Sequence, residues 1–501
     1  MPFTIAQAFR ECAVAGPDAP ALTDGTRTLT FRELDERSER VANGLLAHGV
    51  AHGRRVAYLG RNSVEFFELL LGAAKIGAVL APLNWRLTRD ELHALIADAD
   101  AGFVLVDEDF RDGVPADRVT VARQKEFAEW RDEQPARRVE QALGIDDVVI
   151  QPYTSGTTSL PKGVLISNRN YREYLRVRPS LEIDSTSVLL APMPCYHVGG
   201  STWALLVVLS GGLLVVTEAF DPVELMTTIE RLRVTNVSLA PTMITMMAER
   251  TADHSIDLSS LRCVVYGGQP ITGRSLARAH ALLGPRLVQQ YGMTECTGPA
   301  TQLAAGDHYG DRAASAGRPY DWVEIDIRDV ATFEPVPTGS EGEVWARSAQ
   351  FTSGYWNRPE ETERLLGPGG WIRTGDVGYV DADRFLFITD RIKDIIITGG
   401  ENVFPGHVEA AFRGHEAVRD IAVIGVPDDR WGEAILALVV PEPDSDVTAE
   451  ALVEWGRAHL PGFQRPRRVE LVEELPRNAV GKLMRKEIRA PFWAGQTRAV
   501  G

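Results

Sequence analysis

At 501 residues, 44% of them hydrophobic and 24% charged, the chain exceeds one hydrophobic core and reads as an ordinary globular protein of at least two domains. Its net charge of −16 disfavours nucleic acid and anionic membranes as partners. Cys12, Cys195, Cys263 and Cys296 are scattered, with no CxxC pair, so neither a disulfide framework nor a zinc site is expected.

The N-terminus lacks a basic-then-apolar leader pattern. The most apolar stretch, 203–216, is too short to span a membrane and is broken by Gly211-Gly212. A cytoplasmic protein with no stable membrane insertion is expected, its oligomeric state left open. Thr30-Phe-Arg-Glu33 and Thr88-Arg-Asp-Glu91 each match a capping box that opens a helix. Between them, 56–59 reads as a buried strand, 63–76 as an amphipathic helix and 78–83 as a second strand; 102–107 closes the series. Strands alternating with helices imply a parallel sheet covered on both faces.

Further strands are predicted at 234–240, 261–266 and 287–290. In such sheets ligands sit beyond the carboxyl ends of the strands. The chemically unusual residues fall at those ends: Pro241-Thr242, Gly267-Gly268-Gln269 and Tyr291-Gly292-Met-Thr294-Glu295. From about Asp321 the signals shorten, with strands near 323–328, 342–346 and 385–388 marking a β-rich subdomain. Composition changes near Asp390. Beyond it come a helix at about 405–412, strands at 421–426 and 434–440, and a helix over 448–460. The predicted fold class is therefore α/β. A large N-terminal domain of parallel α/β sheets with a β-rich subdomain covers 1–390, and a small α+β C-terminal domain covers 394–501.

Residues 154–163, Thr-Ser-Gly-Thr-Thr-Ser-Leu-Pro-Lys-Gly, suit a polyphosphate: small residues admit backbone N–H groups, hydroxyls donate and Lys162 supplies charge. The spacing is not that of a Walker A loop. Tyr291 offers a ring for a base, Thr294 a hydroxyl for a phosphate and Glu295 an oxygen for a hard cation. Trp371-Ile-Arg-Thr-Gly-Asp376 places a carboxylate after a tight turn, suited to ribose hydroxyls. Asp390-Arg-Ile-Lys-Asp394 precedes Gly399-Gly-Glu-Asn402, and Pro476-Arg-Asn-Ala-Val-Gly-Lys482 sets a lysine on a glycine turn. Singly, each has a plainer reading: Tyr291 as core, Asp376 as a turn cap, Arg391, Lys393 and Lys482 as solvated charge.

In this order and spacing the five segments resemble the adenylate-forming superfamily of acyl-CoA synthetases, peptide-synthetase adenylation domains and luciferases. The resemblance spans nearly the whole chain and is nearest the acyl- and aryl-CoA ligase branch. It implies an AMP-forming acid–thiol ligase using ATP, Mg²⁺ and coenzyme A, with a mobile C-terminal domain hinged at 391–393. Thr154, Ser155, Gly156, Thr157, Thr158 and Lys162 would cover the β- and γ-phosphates. Gly267, Gly268 and Gln269 would line the adenine and acyl pocket, with Tyr291 and Gly292 against the base. Thr294 would touch the α-phosphate, Glu295 would hold Mg²⁺, and Asp376 and Arg391 the ribose. Lys393 would be the hinge residue, Gly399, Gly400 and Glu401 would border the CoA tunnel, and Lys482 would bridge carboxylate and α-phosphate.

The chain differs at Ser159, where the family usually has glycine; a positive φ there would cost serine more. By the same resemblance His197, in Pro194-Cys-Tyr-His-Val-Gly-Gly200, would lie beside the substrate carboxylate, with a structural histidine as the alternative. Thr202, Trp203, Thr242, Met243 and Met246 would line the tail pocket. The segment 241–246 has no basic residue to pair a second carboxylate, and 197–202 has no aspartate for an ammonium. An aryl or short-to-medium-chain monocarboxylic acid is expected. The alternatives are loading of a carrier protein, transfer of AMP to a different oxyanion or acceptor, and a non-enzymatic nucleotide-binding scaffold.

Overall fold

Both capping boxes form, because their signal is wholly local. Thr30 and Thr88 accept from the backbone N–H groups of Glu33 and Glu91, whose side chains accept from the cap backbone in return. They open helices Phe31–Ala47 and Arg89–Ala99. The computed structural model describes residues 2–154, 161–250, 256–269, 271, 273–399, 401–443, 445–477 and 483–494.

Arg55–Leu59, Val79–Leu83, Phe103–Val106, Val119–Ala122 and Val148–Ile150 run parallel in a six-stranded sheet, with Ile166–Ser167 antiparallel at one edge. Every residue of Arg55–Leu59 and Val79–Leu83 is buried, as the near-continuous apolar runs require of strands covered on both faces.

Helix Val64–Lys75 corrects one expectation. It is buried on every side rather than amphipathic. Its three charges are enclosed with partners: Glu65 meets Arg27 at 2.9 Å, Glu68 meets Arg131 at 2.8 Å and Arg37 at 3.2 Å, and Lys75 meets Asp35 at 2.6 Å. The polar letters that suggested a wet face are neutralised by residues distant in sequence.

A second sheet places Gly298–Leu303, Leu287–Met293, Cys263–Gly267, Asn236–Leu239, Val188–Ala191, Leu213–Val216, Pro20–Thr23 and Thr28–Thr30 side by side in that order. The pairs from Leu287–Met293 to Pro20–Thr23 are parallel, and the flanking pairs at either end are antiparallel. The apolar stretch 203–216 divides between helix Val198–Val208 and strand Leu213–Val216, with a turn at Gly211 (φ +81°). Among the described residues no helix is long and apolar enough to cross a membrane.

Contacts divide the chain into two compact units. One comprises Met1–Tyr309, Tyr320–Val323 and Arg347–Trp371; the other comprises Gly310–Pro319, Glu324–Ala346 and Ile372–Gly501. The expected β-rich region is a four-stranded sheet of Glu324–Arg328, Gly342–Arg347, Trp371–Val380 and Leu386–Arg391. The expected α+β region also forms. Ile396–Thr398, Glu401–Val403, Val418–Asp428, Gly432–Pro441 and Arg468–Leu471 make its sheet. Phe412 of helix Pro405–Arg413 and Leu452 of helix Ala449–His459 join its core with Val423, Ile435 and Val439.

Candidate functional site

Four neighbouring parallel strands of the second sheet end at one edge, and each delivers candidate residues there. Val188–Ala191 leads to His197, and Asn236–Leu239 to Thr242 and Met243. Cys263–Gly267 leads to Gly268 and Gln269, and Leu287–Met293 to Thr294 and Glu295. Close backbone approach explains Gly267: a Cβ there would stand 2.3 Å from the Gln290 carbonyl oxygen. Gly268 follows at φ +80°. Gln269 Oε1 is buried without a hydrogen-bond partner among the described residues. Tyr291 pairs with Thr301 and Gly292 with Pro299 along the antiparallel edge.

The hydroxyl-rich segment 154–163 is bracketed by a short pair of antiparallel strands, Tyr153–Thr154 against Lys162–Gly163, with Thr154 opposite Lys162. Ser155, Gly156, Thr157, Thr158 and Ser159 lie outside the described residues. A polar network supports this strand pair. Tyr153 Oη donates to Asp98 (2.9 Å), Gln151 Nε2 donates to Tyr153 Oη (3.0 Å), and Arg55 Nε donates to Gln151 Oε1 (3.0 Å). Arg55 also stacks 3.3 Å above the Trp356 ring.

Residues 352–356 tie the strand pair to the turn Thr294–Cys296. Thr352 N–H donates to the Glu295 carbonyl, Leu165 N–H to Gly354, and Trp356 N–H to Gly163. Tyr355 Oη donates to Glu295 Oε1 at 2.7 Å, while Lys162 Nζ lies 5.1 Å from the Tyr355 ring centroid. Burial, and then the Glu295 charge, pushes the Tyr355 phenol up, so it stays a donor. Gln350 Nε2 pins the same turn by donating to the carbonyls of Cys296 and Pro299, both at 2.9 Å.

His197 caps helix Val198–Val208 with extended backbone and makes no side-chain cap bond. Burial, helped by the positive charge of Arg86, pushes its imidazole down to about 4. It is therefore neutral at ordinary pH. Asn62 holds the approach to it, accepting from Cys195 N–H (2.7 Å) and donating to the carbonyls of Met193 (3.0 Å) and Thr217 (3.2 Å). Arg86 donates to Tyr196 Oη at 2.5 Å. Thr202 and Trp203 are buried, and the Trp203 indole donates to the Leu190 carbonyl at 3.2 Å. On helix Pro241–Arg250, Met243 is buried while Met246 is 45% exposed.

In the other unit, Asp376 and Arg391 oppose each other across paired strands, Arg391 Nε lying 2.9 Å from Asp376 Oδ1. Gly375, at φ +69°, makes the turn that presents Asp376. Lys393 sits in the turn Ile392–Asp394, where burial and then the Arg391 charge pull its ammonium below the usual lysine value. Gly399 has φ +62° and donates its N–H to the Trp431 carbonyl; Glu401 is exposed. Gly400 and Lys482 lie outside the described residues.

The strand-end residues fit a magnesium nucleotide. Glu295, 6% exposed, offers a hard oxygen, and Gln269 a buried acceptor. Among the described residues no group of three or more His, Cys, Asp or Glu side chains forms a metal cluster. A cation here would complete its shell with phosphate oxygens and water, as magnesium does. The model of the AMP-binding enzyme family matches residues 9–356, and that of the AMP-binding enzyme C-terminal domain matches 407–482. The chain belongs to this family.

Within the AMP-binding enzymes it falls in the acyl- and aryl-CoA synthetase branch of the adenylate-forming superfamily. It is 36% identical over 503 residues to fatty acid–[acyl-carrier-protein] ligase ScoC of Streptomyces coeruleorubidus, covering 97% of this chain and 95% of that one. It is 37% identical over 481 residues to feruloyl-CoA synthase of an Amycolatopsis species, covering 95% and 96%. Its fold superposes on ATP-bound MatB from Rhodopseudomonas palustris with a TM-score of 0.90 at 28% identity, over 97% and 99% of the two chains.

Sequence reasoning overlooked Asn62, Arg86, Gln350 and Tyr355. Asn62 follows a strand end, Arg55–Leu59, so the rule that found the others would have found it. Nothing in local spacing marks Gln350 or Tyr355 for this site, because the bonds that tie them to Cys296 and Glu295 span more than 50 residues.

Proposed function

We propose that this chain is an ATP-dependent carboxylic acid–CoA ligase acting in the cytoplasm on an aryl or short-to-medium-chain acid. The observation that supports it best is the shared edge at which four strands deliver His197, Thr242, Gln269, and Thr294 with Glu295. In the first half-reaction a carboxylate oxygen attacks the α-phosphorus of ATP and pyrophosphate leaves, giving an acyl-adenylate. In the second, the CoA thiol attacks the acyl carbon, its proton is lost, and AMP leaves.

The first step brings an anion toward a phosphorus already ringed by negative oxygens. Lys162 and the hydroxyls at 154–158 would hold the outgoing phosphates, and Thr294 would donate to the α-phosphate. Magnesium at Glu295 supplies positive charge to the phosphate oxygens when bound. His197, being neutral, can orient the carboxylate by an N–H hydrogen bond without forming an ion pair that would blunt its nucleophilicity. Asp376 and Arg391 would bind the ribose, and Tyr291 and Gly292 would face the base. Thr202, Trp203, Thr242 and Met243 would wall the tail pocket, with the exposed Met246 at its rim. Lys482 would neutralise the approaching carboxylate. We assign 391–393 as the hinge between 1–390 and 394–501, with Gly399, Gly400 and Glu401 bordering the CoA thiol's path.

A carrier-protein thiol is the second reading, favoured by the likeness to ScoC. The test is ATP–pyrophosphate exchange over a panel of aryl, short-chain and medium-chain acids, repeated with CoA and with a phosphopantetheinylated carrier protein. Acid-dependent exchange with CoA thioester formation is expected. Exchange with product only on the carrier selects the second reading, and no exchange with any acid overturns both.

A further inference from the structure

Two groups that the proposed function sets against the nucleotide's phosphates, one directly and one through a metal, meet at one side chain. Lys162 Nζ lies 5.1 Å from the ring centroid of Tyr355, and the hydroxyl of the same ring donates to Glu295 Oε1 at 2.7 Å. The ring cannot drift, because backbone bonds fasten it from both sides. Val164 bridges Tyr355, Leu165 N–H donates to Gly354, and Trp356 N–H donates to Gly163. Tyr355 N–H in turn donates to Thr362 Oγ1 at 3.0 Å. The carboxylate end is fixed as well, since Thr352 N–H holds the Glu295 carbonyl at 2.8 Å and Gln350 clasps the following residues.

We propose that Tyr355 is a positioning residue that aims both the Glu295 carboxylate at a divalent cation and the Lys162 ammonium at the phosphates, coupling the metal half of the site to the phosphate half. The phenol's hydrogen bond to Oε1 fixes the carboxylate's rotamer, and with it the direction from which a cation is met, as outer hydrogen-bond partners do for metal-binding carboxylates. The ring face holds the ammonium by cation–π attraction without spending any of its three N–H donors, which stay available to phosphate oxygens. The inference rests on the reading of Glu295 and Lys162 given above.

The experiment titrates ATP into the full-length protein by calorimetry with no acid present, in EDTA and at a series of magnesium concentrations up to excess, alongside apo-protein melting curves. Y355F keeps the ring and loses the hydroxyl. It should raise the magnesium concentration for half-maximal ATP binding by about 10-fold while leaving ATP affinity in EDTA unchanged. Y355L loses both contacts and should in addition weaken ATP in EDTA by about 2- to 5-fold. A Y355F magnesium titration matching wild type overturns the coupling. So does an equal loss by both variants in both conditions, which would mark a general packing role and should track a lower melting temperature. E295Q separates the two levels of the argument: if it leaves the wild-type magnesium dependence intact, the metal assignment itself falls, whatever Tyr355 does.

Discussion

Lys75 shows how far a single charged letter can mislead. Its side chain is fully enclosed, yet its ammonium contacts Asp35 Oδ1 at 2.6 Å, Ser38 Oγ at 2.9 Å and Glu39 Oε1 at 3.0 Å. Burial pulls its proton affinity down, and the two carboxylates oppose that. Lys75→Met would fit the space but leave two carboxylates facing a lost cation, Glu39 keeping Arg10 at 2.8 Å and the Val139 N–H at 2.9 Å. Breaking such a pair from one side costs about 3 kcal/mol. Urea unfolding followed by tryptophan fluorescence should show the earliest transition moving to lower denaturant. Lys125→Met, which removes a 3.7 Å ion pair exposed at both ends, should leave that midpoint where it is. Equal effects from the two substitutions would contradict the assignment of Lys75 as a structural ion.

At the scale of elements, what sequence could reveal was whatever depends on near neighbours. The capping boxes, the predicted strands and the strand-end residues at Gly268, Thr242 and Thr294 all formed, because capping and alternation act over a few residues. What escaped was set by tertiary pairing. Helix Val64–Lys75 carries a polar pattern but no wet face, and Pro20–Thr23 joins Leu213–Val216 nearly 200 residues away. Asn62 sits where the strand-end rule applies, but its partners are tertiary too: it joins two sheets of its unit through three bonds, two of them on either side of Pro194. Its loss should loosen the segment that presents His197 without touching the nucleotide side. Asn62→Ala is expected to raise the KM for the acid by about 10-fold in ATP–pyrophosphate exchange, with the KM for ATP little changed. A matching rise in both constants would show instead that the sheet edge as a whole had shifted.

At the scale of the whole molecule, the residues proposed to act divide by unit: Lys162, His197, Thr294 and Glu295 fall in one, and Asp376, Arg391 and Lys393 in the other, while Lys482 lies outside the described residues. This division has a kinetic consequence. Adenylation needs a cation where carboxylate and α-phosphate approach, because both reactants are negative. Thioester formation does not, because its nucleophile attacks a neutral acyl carbon with AMP already poised to leave. A lysine serving only the first step can therefore be lost without harm to the second. Lys482→Ala should lower acid-dependent ATP–pyrophosphate exchange by about 10²- to 10³-fold, while thioester formation from synthetic acyl-adenylate and CoA proceeds near the wild-type rate. The synthetic adenylate matters because it bypasses the blocked step and reads the second half-reaction alone. Equal loss in both halves would mean that Lys482 supports the folded second unit or the thiol's path. The charge needed for adenylation would then have to come from Lys162 and the metal.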